Sequence, residues 1–124
     1  MEPLQPGLEG IAELLVTERD LAIALGSGDV AVMGTPRMVA LAEEATVAAV
    51  AGALENGRTS VGTRVEMRHL APSPVGRSVK AKAVLSRAEG KLLIFSVEVH
   101  DDDHGLVGDG TIERVVVKRD TFGR

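Results

Sequence analysis

Three residues in this chain have types and spacing suited to acid–base chemistry: Thr35, Glu43 and His69. The first two lie in "GTPRMVALAEEATVAAVAGAL" (34–54), which is almost wholly apolar and small after Arg37. Two adjacent carboxylates, Glu43 and Glu44, interrupt it. At 100° per residue, Val39, Glu43, Val47, Val50 and Leu54 fall within about 80° of helix circumference, so Glu43 is centred in an apolar stripe. Glu44 falls beside Arg37, Leu41, Ala48 and Glu55, a mixed stripe that reads as solvated. A carboxylate on an apolar face loses hydration worth roughly several kcal/mol unless something pairs with it. Glu43 is therefore paired, or has a raised pKa, or faces a cleft. A packed stem with its head in water, or a structural ion pair, would also account for it.

The next segment supplies a partner. In "TSVGTRVEMRHL" (59–70), alternation sets Val61, Thr63, Val65, Met67 and His69 on one face and Gly62, Arg64, Glu66 and Arg68 on the other. The apolar face is expected to lie on the helix, with His69 ending the inward row before the break at Pro72. An inward Glu and an inward His form a pair that general acid–base catalysis uses. Thr35 places a hydroxyl at the mouth of the same helix, where simple N-capping also accounts for it.

The elements that must position these residues can be read along the chain. Residues 1–8, with Pro3, Pro6 and Gly7, read as a loose arm, and 119–124 as a loose tail. "GIAELLVT" (10–17) is a first strand. "TERDLAIALG" (17–26) is a short helix, with Thr17 at its start and Gly26 as its stop. Thr35-Pro36 opens the long helix, expected to run to about Leu54 and to close on Asn56-Gly57. Four strands follow, centred on 59–70, 77–87, 92–100 and 106–118, and read as joined by hairpins into an antiparallel sheet. A helix that is apolar nearly all round must be covered on most sides. One curved sheet wrapped around one long helix, the α+β hotdog architecture in a single domain 1–124, meets both demands.

Composition narrows the function. A formal net charge of -4, no basic stripe and 2% aromatic residues argue against nucleic acid as a partner. Cysteine is absent, so no disulfide and no Cys-type zinc site is expected. No signal peptide or long charge-free apolar run is seen, which reads as a cytoplasmic protein with no membrane partner. The core must be built without Trp or Tyr, and such small domains often lean on a second subunit. A homodimer, or a dimer of dimers, is expected.

Three stretches resemble the hotdog thioesterases of the fluoroacetyl-CoA thioesterase type, over roughly 26–117. "VMGTPRMVALAEEA" is similar to the family's segment with a Thr at the helix start and a Glu eight residues on, here Thr35 and Glu43. "SVGTRVEMRHLAPSPVG" is similar to the strand that places a His after a Gly-Thr pair, here His69 after Gly62 and Thr63. "GDGTIERVVV" resembles the last-strand pattern, with Gly110, Thr111, Glu113 and Arg114. The resemblance implies thioester hydrolysis of a small or medium acyl-CoA by Thr35, Glu43 and His69, with Gly34, Gly62 and Arg114 at the substrate and no cofactor beyond the CoA of the substrate. The fluoroacetyl-specific branch carries bulky Phe side chains in the loop before the Thr. Here that loop reads "GSGDVAVM" (26–33), with no aromatic.

The chemistry implied is attack on a thioester carbonyl whose developing charge is met by free N–H groups at the helix start and by close backbone approach at Gly62. His69 would act as general acid/base. Glu43 would orient it or activate water, and Thr35 would be nucleophile or water-positioning group. A non-catalytic acyl-CoA or acyl-carrier binding dimer is the alternative on the same fold. A hydratase is disfavoured because no Asp–His pair occurs at short spacing before the long helix. The acids of "HDDDHG" (100–105) sit at a hairpin tip, where Asp is favoured for turn reasons rather than for metal binding.

Overall fold

The computed structural model describes residues 4–124. In chain order they form β1 (Glu9–Leu15), a 3-10 turn (Glu18–Asp20), α1 (Ala22–Leu25), α2 (Thr35–Ala49), β2 (Arg58–His69), β3 (Ser78–Glu89), β4 (Leu92–Asp101) and β5 (Gly105–Lys118). The sheet order is β1-β3-β4-β5-β2, with every pairing antiparallel. It curls around α2, which is the expected hotdog arrangement. Among the described residues no helix is long and apolar enough to cross a membrane.

Alternation builds the core. Val79, Ala81, Ala83 and Leu85 of β3 and Leu93, Phe95, Val97 and Val99 of β4 turn inward, with Ile112 and Val116 of β5. They cover Met38, Leu41, Ala42, Ala45 and Ala49 of α2. Small residues let β1 and α2 touch backbone to backbone. A Cβ on Gly10 would lie 2.2 Å from the Ala45 carbonyl oxygen and 2.2 Å from the Ala49 amide nitrogen.

Three expectations about the elements are corrected. β2 makes no hairpin with β3. The loop 70–77, with Pro72 and Pro74, carries the chain from the β2 edge across the sheet to the strand beside β1. α2 begins one residue earlier than expected, with Gly34 rather than Thr35 as its N-cap, and ends at Ala49 rather than near Leu54. Beyond Ala49 the turns tighten to three-residue spacing, Val50 to Val47 and Ala51 to Ala48, and Gly52 takes φ 77. The helix expected over 17–26 divides into the 3-10 turn and the single turn of α1, with Gly26 as its left-handed stop at φ 71.

Of the arm expected over 1–8, residues 1–3 lie outside the described residues. Leu4 and Leu8 pack against the core, and the Gly7 amide donates to the Leu85 carbonyl. In the tail, the Arg119 amide donates to Gly57 and the Phe122 amide to Lys118.

Candidate active site

Thr35 opens α2 and His69 closes β2, and the fold brings them together. Thr35 Oγ1 lies 2.8 Å from His69 Nδ1. The Thr35 hydroxyl does not cap its helix, since Gly34 holds the N-cap with no side-chain bond. The hydroxyl is committed to the imidazole instead. On the far side of the ring, His69 Nε2 is buried and has no hydrogen-bond partner among the described residues. Burial pushes the His69 imidazole below its ordinary value, and the Ala71 backbone offsets this only in part. The shift favours the neutral ring, the state in which it can accept a proton.

The start of α2 is held from behind by Asp20, a residue the sequence reading did not single out. Its carboxylate accepts the Thr17 amide at 2.8 Å, the Thr17 hydroxyl at 3.0 Å and Arg37 Nε at 3.1 Å. Its own carbonyl accepts the Gly34 amide at 2.9 Å. Burial pushes the Asp20 carboxyl upward, but the bonds from Thr17 and Arg37 outweigh it and hold the group below the usual carboxylate value. The Thr-x-x-Asp spacing at 17–20 is a capping-box pattern, and that was the available signal. One expectation is corrected here. The N–H groups of the first turn are mostly engaged: Gly34 donates to Asp20, Pro36 has none, and Arg37 and Met38 donate to the Gly34 carbonyl. Gly34 is thus not free to bind substrate through its amide, which leaves the amide of Thr35.

Glu43 sits elsewhere. The face that α2 buries, Met38, Leu41, Ala42, Ala45, Thr46 and Ala49, is centred roughly 130° around the helix from Glu43. Val39 is half-buried and Val47 is 49% exposed, so the stripe holding Glu43 looks toward the open β2 edge rather than into the core. Its Oε2 lies 3.6 Å from Arg114 Nη1. Arg114 is buried, and it donates through Nε to Ser60 Oγ at 2.8 Å and through Nη2 to the Ser60 carbonyl at 2.9 Å. Burial pushes the Arg114 guanidinium below its ordinary value, with the Glu43 carboxylate opposing that shift. Glu44 is exposed, as its stripe predicts.

Gly62 completes this second group, and it does so through a β-bulge. Gly62 pairs with Arg114, but Arg64 pairs with Glu113, so Thr63 is the extra residue and the side-chain phase of β2 flips across it. Gly62 is therefore on the inner face with Ser60, Val65, Met67 and His69, not on the outer face with Arg64, Glu66 and Arg68. A Cβ on Gly62 would lie 2.6 Å from Glu43 Oε2 and 3.5 Å from Arg114 Nη1.

A single chain thus holds two clusters. Thr35 and His69 form one, and Glu43, Gly62 and Arg114 the other. They are set apart by eight residues of helix, about 12 Å along its axis. Within one chain Glu43 and His69 do not pair.

Against known proteins, the model of the fluoroacetyl-CoA-specific thioesterase family matches residues 16–120. The chain belongs to that family. A fluoroacetyl-CoA thioesterase of Streptantibioticus cattleyicolor is 40% identical over 91 residues, which is 73% of this chain. The chain spans 65% of that relative's length in the match. A crystal structure of the fluoroacetyl-CoA-specific thioesterase FlK superimposes with a TM-score of 0.89 at 31% identity, covering 98% of this chain and 93% of that one. A thioesterase superfamily member from Thermus thermophilus superimposes at 0.88 with 29% identity, over 97% and 88% of the two chains. The hotdog fold is common to this thioesterase family and to the chain. In it the long helix delivers Thr35 and Glu43, and the edge strand β2 delivers Gly62 and His69.

Proposed function

We propose that this protein hydrolyses a small or medium acyl-CoA to the free acid and CoA, as a homodimer whose two active sites each draw on both subunits. The observation that carries the reading is the 2.8 Å contact between Thr35 Oγ1 and His69 Nδ1. That is the geometry of a hydroxyl nucleophile with its base. Thr35 Oγ attacks the thioester carbonyl while its proton passes to His69. The proton then goes to the departing CoA sulfur, and water, activated by the same imidazole, releases the acid. The Thr35 amide, at the positive end of α2, faces the charge that develops on the carbonyl oxygen.

Such a base needs a group to orient its other nitrogen, and His69 Nε2 has none among the described residues of its own chain. β2 is a sheet edge, and Thr63 to Glu66 on it are exposed, including Val65 at 41%. Antiparallel pairing of β2 with its two-fold copy, centred near Val65, would set His69 opposite Val61 of the partner subunit. That register brings Gly62, Arg114 and Glu43 of the partner subunit to the Thr35–His69 end. Glu43 of the partner subunit would then orient His69, with Arg114 and Gly62 of the partner subunit lining the acyl site. The reading also gives the open stripe of α2, Val39 to Val47, a surface to cover.

The acyl preference follows from the aromatic census. Phe95 is fully buried in the core and Phe122 is 57% exposed in the tail. Neither Phe lies in the segment 26–33 before Thr35, so no aromatic wall there encloses a two-carbon group. The substrate class we propose is short and medium acyl-CoA without selectivity for fluoroacetyl. The test is thiol release across a series of acyl-CoA chain lengths by wild type, Thr35→Ala and His69→Ala. Hydrolysis that both variants abolish supports the reading. Undiminished hydrolysis in His69→Ala overturns it.

A further inference from the structure

The acidic run of the β4–β5 turn holds a carboxylate that does more than shape a hairpin. Asp101 is the last residue of β4, and its side chain is fully buried. Its Oδ1 accepts the amides of Asp103, at 2.9 Å, and of His104. Its Oδ2 accepts the Ser73 hydroxyl at 2.9 Å and Arg77 Nη1 at 3.0 Å. Burial pushes this carboxyl upward, but the two amides, Ser73 and Arg77 outweigh it and hold the group below the usual carboxylate value.

Only two of those donors are needed to close the hairpin. The other two reach across to the loop 70–77, and that loop touches both halves of the Thr35–His69 contact. It begins directly after His69, where the Leu70 and Ala71 amides both donate to the Val107 carbonyl. Midway, at fully buried Ser73, its backbone meets the segment that leads into α2: the Ser73 carbonyl accepts the Met33 amide at 2.8 Å. Met33 is itself buried and stands two residues before Thr35. One residue therefore receives the carboxylate through its side chain and holds the approach to Thr35 through its carbonyl. His69 is four residues upstream, at the end of β2.

We propose that Asp101, acting through Ser73, is a positioning residue that sets the distance between the Thr35 hydroxyl and the His69 ring. The proposal rests on the hydrolytic reading of that pair for its effect on rate, but not for its effect on the ring. A displacement of about 1 Å between reacting groups is worth about 10²-fold in rate, so a clamp on this loop has leverage on catalysis from outside the site.

Ser73→Ala is the informative variant. It removes the tether and leaves the Asp101 carboxylate its two amides and Arg77. The imidazole titration is followed by NMR of the His ring protons in the free protein, with exposed His100 as reference, and kcat and KM are measured on one short acyl-CoA. Leu85→Val, a buried change beside the N-terminal arm, serves as a stability-matched control. The proposal expects the His69 midpoint in Ser73→Ala to move up toward the ordinary histidine value as water enters around the ring. It expects kcat to fall about tenfold or more with KM little changed. The control should show neither effect. A Ser73→Ala protein that melts lower but keeps the His69 midpoint and kcat of the wild type would overturn the proposal. So would a control that moves both. The ring titration needs no turnover, so the clamp is judged separately from hydrolysis, which stands or falls with Thr35→Ala and His69→Ala.

Discussion

Replacing Gly62 by Ala should separate folding from catalysis in one step. Gly62 has no positive φ, so an L-residue meets no backbone strain there. Its added Cβ would stand 2.6 Å from Glu43 Oε2, the free end of a flexible side chain. To reach ordinary contact, near 3.4 Å, the carboxylate must retreat by about 0.8 Å. A misplacement near 1 Å costs about 10²-fold in rate, equivalent to about 2.7 kcal/mol of barrier. Stability should change little, because Gly→Ala at a compatible position gains about 0.4–1 kcal/mol from the unfolded chain. That gain offsets the loss from moving an ion pair already 3.6 Å long. The assay is thiol release from a short acyl-CoA together with a thermal melt. The expected result is a Tm within about 5 °C of wild type and a kcat lower by one to two orders of magnitude, about 10–10². Gly10→Ala is the contrast. Its Cβ would strike the α2 backbone at 2.2 Å, which cannot yield, so it should cost about 3 kcal/mol or more and lower Tm sharply. A Gly62→Ala enzyme with wild-type kcat would show that the place of Glu43 is immaterial and refute the reasoning.

Other outcomes follow from the same geometry. Glu44→Ala should leave activity and stability close to wild type, within about 0.5 kcal/mol, whereas Glu43→Ala should lower kcat by about 10²; equal effects would undo the distinction between the two helix faces. Because burial lowers the His69 value, kcat/KM should rise with pH through a midpoint below 6.5. The same shift makes the His69 contribution to stability complete above 6.5 and lost as pH falls through the folded value. His69→Ala should abolish the rate profile, while His100→Ala and His104→Ala keep it, as pH–rate curves on the three variants would report. Asp20→Asn should cost about 1–3 kcal/mol, seen as a lower denaturation midpoint. Asp20 and Asp101 titrate below 3.8 in the fold, so their stabilisation is present above that value and lost as pH falls through the folded values.

Strands were the legible part of this sequence because their period is simple. The row Val79, Ala81, Ala83, Leu85 alternates with Ser78, Lys80, Lys82, and the structure buries the first set. α2 was legible as an element but not as a face. When nearly every residue is apolar, the burial pattern depends on which side the sheet lies, and the residue angles alone cannot say. Glu43 stands out in the sequence as a carboxylate among apolar residues, and its partner within the chain is Arg114, not His69. The bulge at Thr63 has no local signature, and it reversed the expected face of Gly62. Asp20, Ser73 and Asp101 escaped for a related reason. Each looks like turn chemistry in one dimension, and only the fold shows what their polar atoms reach.

The central claim is that Thr35 and His69 of one subunit work with Glu43 of the other, and subunit mixing tests it most directly. Glu43→Ala and His69→Ala proteins, each inactive alone, are unfolded together, refolded as a mixture and assayed for thiol release from a short acyl-CoA. A randomly mixed dimer population contains one intact composite site in each heterodimer, so the account predicts recovery of about a quarter of wild-type activity. A mixture that stays as inactive as its parents, with heterodimers shown to have formed, would contradict it.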